Sequence, residues 1–135
     1  LLKPHGIMLI QAITMRDQRY DRAIKSVDFI QRYIFPGGFI PCISAISLGI
    51  KKATDLRLLN LEDIGPHYAR TLEDWRRRFI DNLPEIRDLG YSDEFIRMWE
   101  FYLSYSEGGF HERMLGNVQL VFVKPQNRLN WKSPE

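Results

Sequence analysis

GPHYARTLEDW, residues 65–75, predicts the start of an amphipathic helix around which the rest of the fold can be placed. Apolar residues recur at the spacing of one helical face, at Tyr68, Leu72, Trp75, Phe79 and Leu83. Pro66 suits the first turn, because its fixed φ and missing N–H cost nothing there. The phenol of Tyr68 would then lie near the backbone amides of that turn, where a small anion can bind. Spacing alone leaves a second interpretation open, in which Tyr68 is a core tyrosine with one hydrogen-bond partner.

The composition is that of one globular domain with a substantial core. Of the 135 residues, 44% are hydrophobic and 27% charged, which excludes a disordered chain. Nineteen Lys and Arg against seventeen Asp and Glu are too balanced to indicate a nucleic-acid partner. The single cysteine, Cys42, excludes a disulfide framework and favours a packed thiol in a reducing compartment. With no signal peptide pattern and no apolar run of about 20 residues, we expect a cytoplasmic protein whose membrane contact, if any, is peripheral.

Three apolar stretches predict strands, at residues 7–13, 56–61 and 117–124. The first is a continuous apolar run, typical of a strand that is buried on both faces in a parallel sheet. Since the chain begins at such a strand, we expect it to be part of a longer protein. Functional groups of open α/β sheets follow the carboxyl ends of strands, which points to Gln11, Ala12, Ile13 and Thr14.

Residues 17–34 predict one amphipathic helix whose polar face carries several arginines and a lysine. Those basic residues are either a solvated face or a contact for anionic lipid head groups. The loop that follows, residues 35–41, has two prolines around two glycines and is either a plain connection or an apolar wall beside a pocket. Further along, Pro41 can open a helix to Lys52, Pro84 interrupts the helix from Tyr68, and Ser92 can cap the next one.

The helix predicted after Ser92 has a heavily aromatic face. Its members are Phe95, Met98, Trp99, Tyr102, Leu103 and Phe110. Such a stripe is either core or a surface on which a long alkyl chain can lie. Together these elements predict an α/β unit with about three strands and helical insertions over residues 1–125, followed by a polar tail, residues 126–135.

Four blocks of this sequence resemble the cyclopropane-fatty-acyl-phospholipid synthase family, which includes the mycolic acid cyclopropane synthases. The turn at residues 2–6, LKPHG, is similar to the Leu-Lys-Pro-Gly-Gly turn before strand five of class I S-adenosylmethionine-dependent methyltransferases. The other blocks are FPGG with Ile40-Pro41 behind it, HYARTL with Trp75, and Tyr102-Leu103 with Phe110. The resemblance implies the carboxyl-terminal half of a Rossmann-like class I methyltransferase fold, with helical lid insertions.

The resemblance also implies a reaction and its residues. The family transfers the methyl group of S-adenosylmethionine to a cis double bond of a lipid acyl chain, and a bound bicarbonate ion is thought to take the proton as the ring closes. By this match, Tyr68, Gln11 and Ile13 are catalytic residues at the bicarbonate ion. Phe35, Tyr102 and Phe110 are substrate-binding residues of the acyl channel. The implied partner is a phospholipid with an unsaturated acyl chain, reached from the membrane periphery.

Two departures limit what these residues can do. Gln11 stands where better-known members have histidine, and an amide cannot titrate, so the product is either a ring or a methyl branch. No strand is followed by a G-x-G-x-G loop, so S-adenosylmethionine would be bound mainly by an amino-terminal half outside this sequence. We therefore expect the 135 residues alone to be inactive. We also expect self-association, for instance as a homodimer, through the unpaired edge of the first strand.

Two further interpretations stay open at this point. One is a class I methyltransferase with a small-molecule substrate, which predicts a smaller and more polar pocket beneath Trp99 and Tyr102. The other is a lipid-binding module without catalysis, in which the basic helix binds anionic vesicles. No spacing of His, Cys, Asp and Glu in the sequence predicts a metal site.

Overall fold

The computed structural model describes residues 2–128 and contains one three-stranded sheet with helices packed on it. The elements in chain order are β1 (Ile7–Met15), α1 (Asp17–Ala23), a π-helical turn (Ile30–Ile34), α2 (Ile43–Ala53), β2 (Arg57–Asp63), α3 (Gly65–Asp81), α4 (Leu83–Asp88), α5 (Asp93–His111) and β3 (Leu115–Val123). All three predicted strands are present, with boundaries shifted by up to two residues. Most of the predicted polar tail, residues 129–135, lies outside the described residues.

The sheet is antiparallel, which corrects the expectation of parallel strands. Its order is β1-β3-β2, so the last strand of the chain lies between the first two. Gln11 pairs with Gln119 across β1 and β3, and Leu61 pairs with Leu120 across β2 and β3. A continuous apolar run predicts that a strand is buried, but it does not predict the direction of the neighbouring strand. Along β1, burial also alternates, with Ile7 and Leu9 exposed on one face of the sheet.

Two apolar clusters cover the two faces of the sheet. On one face, Ile43, Ile46 and Ile50 of α2 pack against buried residues of β3, as the sequence predicts. On the other face, Leu72 of α3 and Leu103 of α5 belong to a second cluster, which also contains Tyr68 and Phe110. An ion pair between Arg76 Nε and Glu107 Oε2, 2.8 Å apart, also joins α3 to α5. Strand alternation explains the division, since successive side chains point to opposite faces.

The helix predicted over residues 17–34 is wrong as one element. α1 ends at Ala23, and a separate π-helical turn begins at Ile30. Between them, Asp28 Oδ1 accepts from the Gln31 amide at 2.8 Å, and Gln31 Oε1 accepts from the Asp28 amide at 3.1 Å. This reciprocal pair is a capping box, which starts a new helical segment even though the apolar spacing continues through it. We call residues 24–39 the strap.

The other helix boundaries follow local chemistry. Pro66 lies in the first turn of α3, and α4 begins as a separate helix with Pro84 in its first turn. Ser92 Oγ accepts from the Phe95 amide at 3.2 Å, which confirms it as the cap of α5. α2 begins later than predicted, since the buried Cys42, and not Pro41, is its cap, with Sγ 3.4 Å from the Ala45 amide. Over residues 2–128, no helix combines the length and the apolar character needed to cross a membrane.

Candidate active site

A cavity of about 260 Å³ lies between the end of β1, the strap, α3 and α5. Five of the six residues that the resemblance selects line it, namely Ile13, Phe35, Tyr68, Tyr102 and Phe110. Most of the remaining wall is aliphatic or aromatic, with Leu72 on α3 and Phe39 at the end of the strap. Residues that are up to about 100 positions apart in the sequence therefore meet at one apolar space, which we call the central cavity.

Tyr68 lies on the first turns of α3 and turns its ring into the central cavity. Its ring centroid is 4.9 Å from that of Phe110 and 6.3 Å from that of Trp75. Leu72 follows one turn later and is buried, so the α3 face is fixed by packing. Among the described residues, the Tyr68 hydroxyl has no protein hydrogen-bond partner. Each of the two interpretations of Tyr68 therefore describes one part of its side chain. Its ring packs in the core, and its hydroxyl remains available to a ligand.

Tyr102 forms the opposite wall of the cavity together with Phe35 of the strap. The two rings meet edge to face, with centroids 5.9 Å apart. Burial, with a smaller electrostatic contribution from Tyr68, raises the pKa of Tyr102 above its usual 10.0. The phenol therefore stays protonated at neutral pH, and it can act as a hydrogen-bond donor inside an apolar space. The loop after the π-helical turn is thus a wall of the cavity, which decides between the two interpretations of residues 35–41.

Gln11 is placed differently from the other predicted residues. It lies two positions before Ile13 on β1, yet it does not line the central cavity in the described structure. Its side-chain Oε1 accepts from Gln119 Nε2 at 3.1 Å on an exposed part of the sheet. The structure therefore brings Tyr68 and Ile13 together at the central cavity, and it places the Gln11 side chain outside the cavity wall. The catalytic role of Gln11 stays a prediction.

The backbone amides at the start of α3 are already bonded, contrary to the prediction that they are open to a small anion. The Gly65 amide donates to Asp63 Oδ1 at 2.9 Å, and Pro66 has no N–H. The next two amides donate to the carbonyl of Ile64 at 3.1 and 3.3 Å. An anion near Tyr68 would therefore depend on the phenol and on other donors of the cavity, since this turn offers none.

The sequence reasoning missed the polar edge that the strap contributes to the central cavity. Ser26, Asp28 and Gln31 line it on the strap side, and the buried Ser106 lines it from α5. Gln31 Nε2 also donates to the carbonyl of Gly38 at 3.0 Å, which ties the two ends of the strap's second half together. The signal was present as Asp28 followed by Gln31 three residues later, a capping-box spacing.

Comparison with known proteins identifies the family. The family model of the mycolic acid cyclopropane synthetases matches residues 1–120. The chain belongs to this family. It is 40% identical over 124 residues to a tuberculostearic acid methyltransferase of Mycobacterium tuberculosis and 34% identical over 124 residues to the cyclopropane-fatty-acyl-phospholipid synthase of Escherichia coli. These alignments cover 92% and 91% of this chain.

A solved structure agrees with the fold of this mycolic acid cyclopropane synthetase family member. The mycolic acid cyclopropane synthase CmaA1, complexed with SAH and CTAB, superimposes with a TM-score of 0.77 at 25% identity. The match covers 91% of this chain and 46% of that one. The predicted fold class, part of a class I methyltransferase fold, is confirmed.

The family member described here spans only part of its relatives. It covers 29% of the tuberculostearic acid methyltransferase and 30% of the Escherichia coli synthase. Its sequence has no G-x-G-x-G loop after a strand, so these residues do not supply the phosphate- and nucleoside-binding turn of dinucleotide-type α/β sites. Within residues 2–128, no group of three His, Cys, Asp or Glu side chains is arranged to hold a metal ion.

Proposed function

We propose that these residues form the acyl-chain half of an S-adenosylmethionine-dependent methyltransferase that adds a methylene or methyl group at a cis double bond of a phospholipid acyl chain. The observation that carries the proposal is the central cavity, because it collects five of the six residues selected by the family resemblance. The relatives named above, a fatty-acid methyltransferase and a cyclopropane synthase, support the same class of reaction.

The wall of the central cavity suits an alkyl chain. Aromatic and aliphatic side chains surround it, with Phe35 and Tyr102 on one side and Phe110 on the other. Burial of a chain in such walls is worth about 0.8 kcal/mol for each methylene, so affinity needs no specific polar contact. This apolar wall favours a lipid over the small polar substrate of the alternative methyltransferase interpretation.

The Tyr68 hydroxyl would donate a hydrogen bond to a negatively charged group in the cavity. Its hydroxyl lacks a protein acceptor among the described residues, and the surrounding wall is apolar, so a hydrogen bond donated there is stronger than one in water. We propose that this hydroxyl holds a small anion, bicarbonate in the family resemblance, beside Ile13. Bound bicarbonate would supply a base for the proton that leaves the acyl chain. Tyr68 and Ile13 would position that base, with Gln11 beside them.

The product is a ring or a methyl branch, and the proposal includes both. Relatives of both kinds, one a methyltransferase and one a cyclopropane synthase by name, match this chain over a similar length. Gln11 is the residue that we associate with the choice, because an amide donates a hydrogen bond but does not exchange a proton near neutral pH. S-adenosylmethionine would be bound mainly by residues outside this sequence, at the membrane periphery where the phospholipid lies.

Mass spectrometry of membrane fatty acids tests this function. Cells would express the full-length protein, its Tyr68→Phe variant, or a Tyr20→Phe control that removes a phenol outside the central cavity. We expect a large fraction of the monounsaturated chains to gain one carbon in cells with the parent or the control. With Tyr68→Phe, this fraction should be small. Unchanged fatty acids in all three strains, at matched protein levels, would instead favour a small-molecule substrate.

A further inference from the structure

An exposed aromatic cluster lies where the strap meets α5. Phe29 is its centre, with its ring centroid 4.7 Å from Phe101, 5.5 Å from Tyr33 and 6.4 Å from Tyr105. Phe101 and Tyr105 stack on each other at 5.8 Å. The three outer rings, on Tyr33, Phe101 and Tyr105, are each about half exposed. We call these four residues the aromatic patch.

The aromatic patch borders the central cavity on both of its elements. On the strap, Phe29 and Tyr33 belong to the patch, whereas Ile30 and Phe35 line the cavity. On α5, the patch residues Phe101 and Tyr105 are each followed directly by a cavity residue. The same two backbone segments therefore present one side to the cavity and the other side to the surroundings.

One basic side chain lies on a ring of the aromatic patch, and two more precede the patch in the sequence. The Arg32 guanidinium lies 5.3 Å from the centre of the Tyr33 ring, and the exposed Arg22 and Lys25 are on the adjoining helix and turn. Two acidic groups of α1 and the strap are engaged in hydrogen bonds, since Asp28 Oδ1 accepts from the Gln31 amide and Asp17 Oδ1 from the Ser44 amide. Asp21 is a further exposed carboxylate on α1. Val27, which is exposed, adds an aliphatic side chain two positions before Phe29.

We propose that the aromatic patch inserts into the interfacial region of a bilayer that contains anionic lipids, with Arg22, Lys25 and Arg32 at the level of the phosphates. The rings of Tyr33 and Tyr105, each with one apolar and one polar end, suit that depth, and Phe29 and Phe101 add apolar surface beneath them. Each basic residue near the membrane surface adds attraction to anionic lipid. The inference rests on the proposed function. It names the surface through which a lipid reaches the central cavity.

A bilayer accounts for more of these observations than a second copy of the chain does. A contact between copies would bury the rings, but it would bring together two sets of the same basic residues around the patch. A bilayer is complementary to both the rings and the charges. It also contains the acyl chain that the adjacent cavity would accept.

Vesicle sedimentation with the full-length protein tests the patch directly. The vesicles would be phosphatidylcholine alone, or phosphatidylcholine with phosphatidylglycerol. Tyr105→Ser removes a patch ring, and Tyr91→Ser is the matched control, because both tyrosines are 48% exposed and Tyr91 packs on Phe95 at the other end of α5. We expect Tyr105→Ser to weaken binding to the mixed vesicles by about tenfold and Tyr91→Ser to leave it unchanged. Equal binding by the two variants would overturn the proposal.

The charge component has its own pair of variants. Arg32→Glu should reduce binding to the mixed vesicles and flatten its dependence on salt, while Arg70→Glu on the exposed side of α3 should do neither. Circular dichroism melts would confirm that all four variants fold. If Tyr105→Ser changed the oligomeric state in light scattering and left vesicle binding intact, the patch would be a contact between copies, and the proposal would be wrong.

Turnover in detergent separates this inference from the proposed function. With an unsaturated phospholipid dispersed in neutral micelles, Tyr105→Ser should retain the parent's rate, because no bilayer has to be bound. If vesicle binding depended on the patch but the parent methylated no lipid, the proposed function would be refuted. The patch would remain a membrane contact. Methylation that is normal in micelles and in vesicles for Tyr105→Ser would refute the patch alone.

Discussion

The ring of Tyr68 lies 4.9 Å from the ring of Phe110, centroid to centroid, at an interplanar angle of 53°. The contact joins the start of α3 to the end of α5 and forms one side of the central cavity. It also separates two properties of Tyr68, since the ring takes part in this packing and the hydroxyl does not.

Tyr68→Phe should leave stability nearly unchanged and lower lipid methylation strongly. The variant keeps the ring contacts, so the free energy of unfolding should change by no more than about 0.5 kcal/mol. Loss of one preorganised donor lowers turnover by roughly 10²–10³-fold in comparable sites. Phe110→Ala is the contrasting variant, because removal of this buried ring should cost about 3–5 kcal/mol. Urea denaturation and turnover of the full-length protein measure both effects, and a large loss of stability in Tyr68→Phe would contradict the assignment.

Gln11→Ala should affect turnover much less than Tyr68→Phe. The Gln11 side chain is exposed and is bonded to Gln119 at 3.1 Å, outside the wall of the central cavity. We expect a loss of less than about tenfold, which corresponds to less than about 1.4 kcal/mol of barrier. Gln119→Ala is the control, because it frees the Gln11 amide without removing it. A loss with Gln11→Ala as large as that with Tyr68→Phe would show that Gln11 turns toward the reacting chain.

The features of this site that could be predicted from the sequence are those set by neighbouring residues along the chain. Helix α3 begins at Gly65 with Pro66 in its first turn, because proline fits there, and it buries Leu72 because apolar residues recur on one face. The direction of β3 could not be predicted, since an apolar run carries no information about its neighbours. The break in residues 17–34 was visible only as the capping box of Asp28 and Gln31, which hydrophobic spacing ignores. At the start of α3, the bond of the Gly65 amide depends on the rotamer that Asp63 adopts, and the next two amides depend on the backbone carbonyl of Ile64.

Asp17→Asn should weaken the contact between α1 and the first turn of α2 at neutral pH. Interactions with the Ser44 side chain and backbone amide lower the pKa of Asp17 below its usual 3.8, and the Ser44 amide donates to Oδ1 at 2.9 Å. Because the folded-state pKa is lowered, this stabilisation is complete above about pH 4 and is lost as the pH falls through the folded-state value. Because Asp17 is exposed and the Asn oxygen can still accept from the Ser44 amide, we expect Asn to reduce the free energy of unfolding by only roughly 0.5 kcal/mol at pH 7.

Urea denaturation between pH 2 and 7 checks this sign. The difference between the parent and Asp17→Asn should shrink at the acidic end of that range, where the carboxyl group is protonated in both the folded and unfolded states. Asp21→Asn, on the same helix, provides the matched control. A difference that stayed constant with pH would mean that the charge of Asp17 contributes nothing to folding.

Leu9→Lys should reduce self-association of the 135-residue chain. Among the described residues, β3 is the only strand that pairs with β1, whose other edge makes one isolated bridge, from Met15 to Cys42. Leu9, on the open part of this edge strand, is 61% exposed. An apolar edge of this kind pairs readily with another strand, whereas a lysine on it opposes such pairing. We expect the parent chain to sediment as dimers or larger species and Leu9→Lys to shift the distribution toward monomer. Leu48→Lys, which places the same charge on the exposed face of α2, should sediment like the parent. If the parent were a monomer over the whole concentration range and the β1 amides were protected from hydrogen exchange, the edge would be covered within one chain.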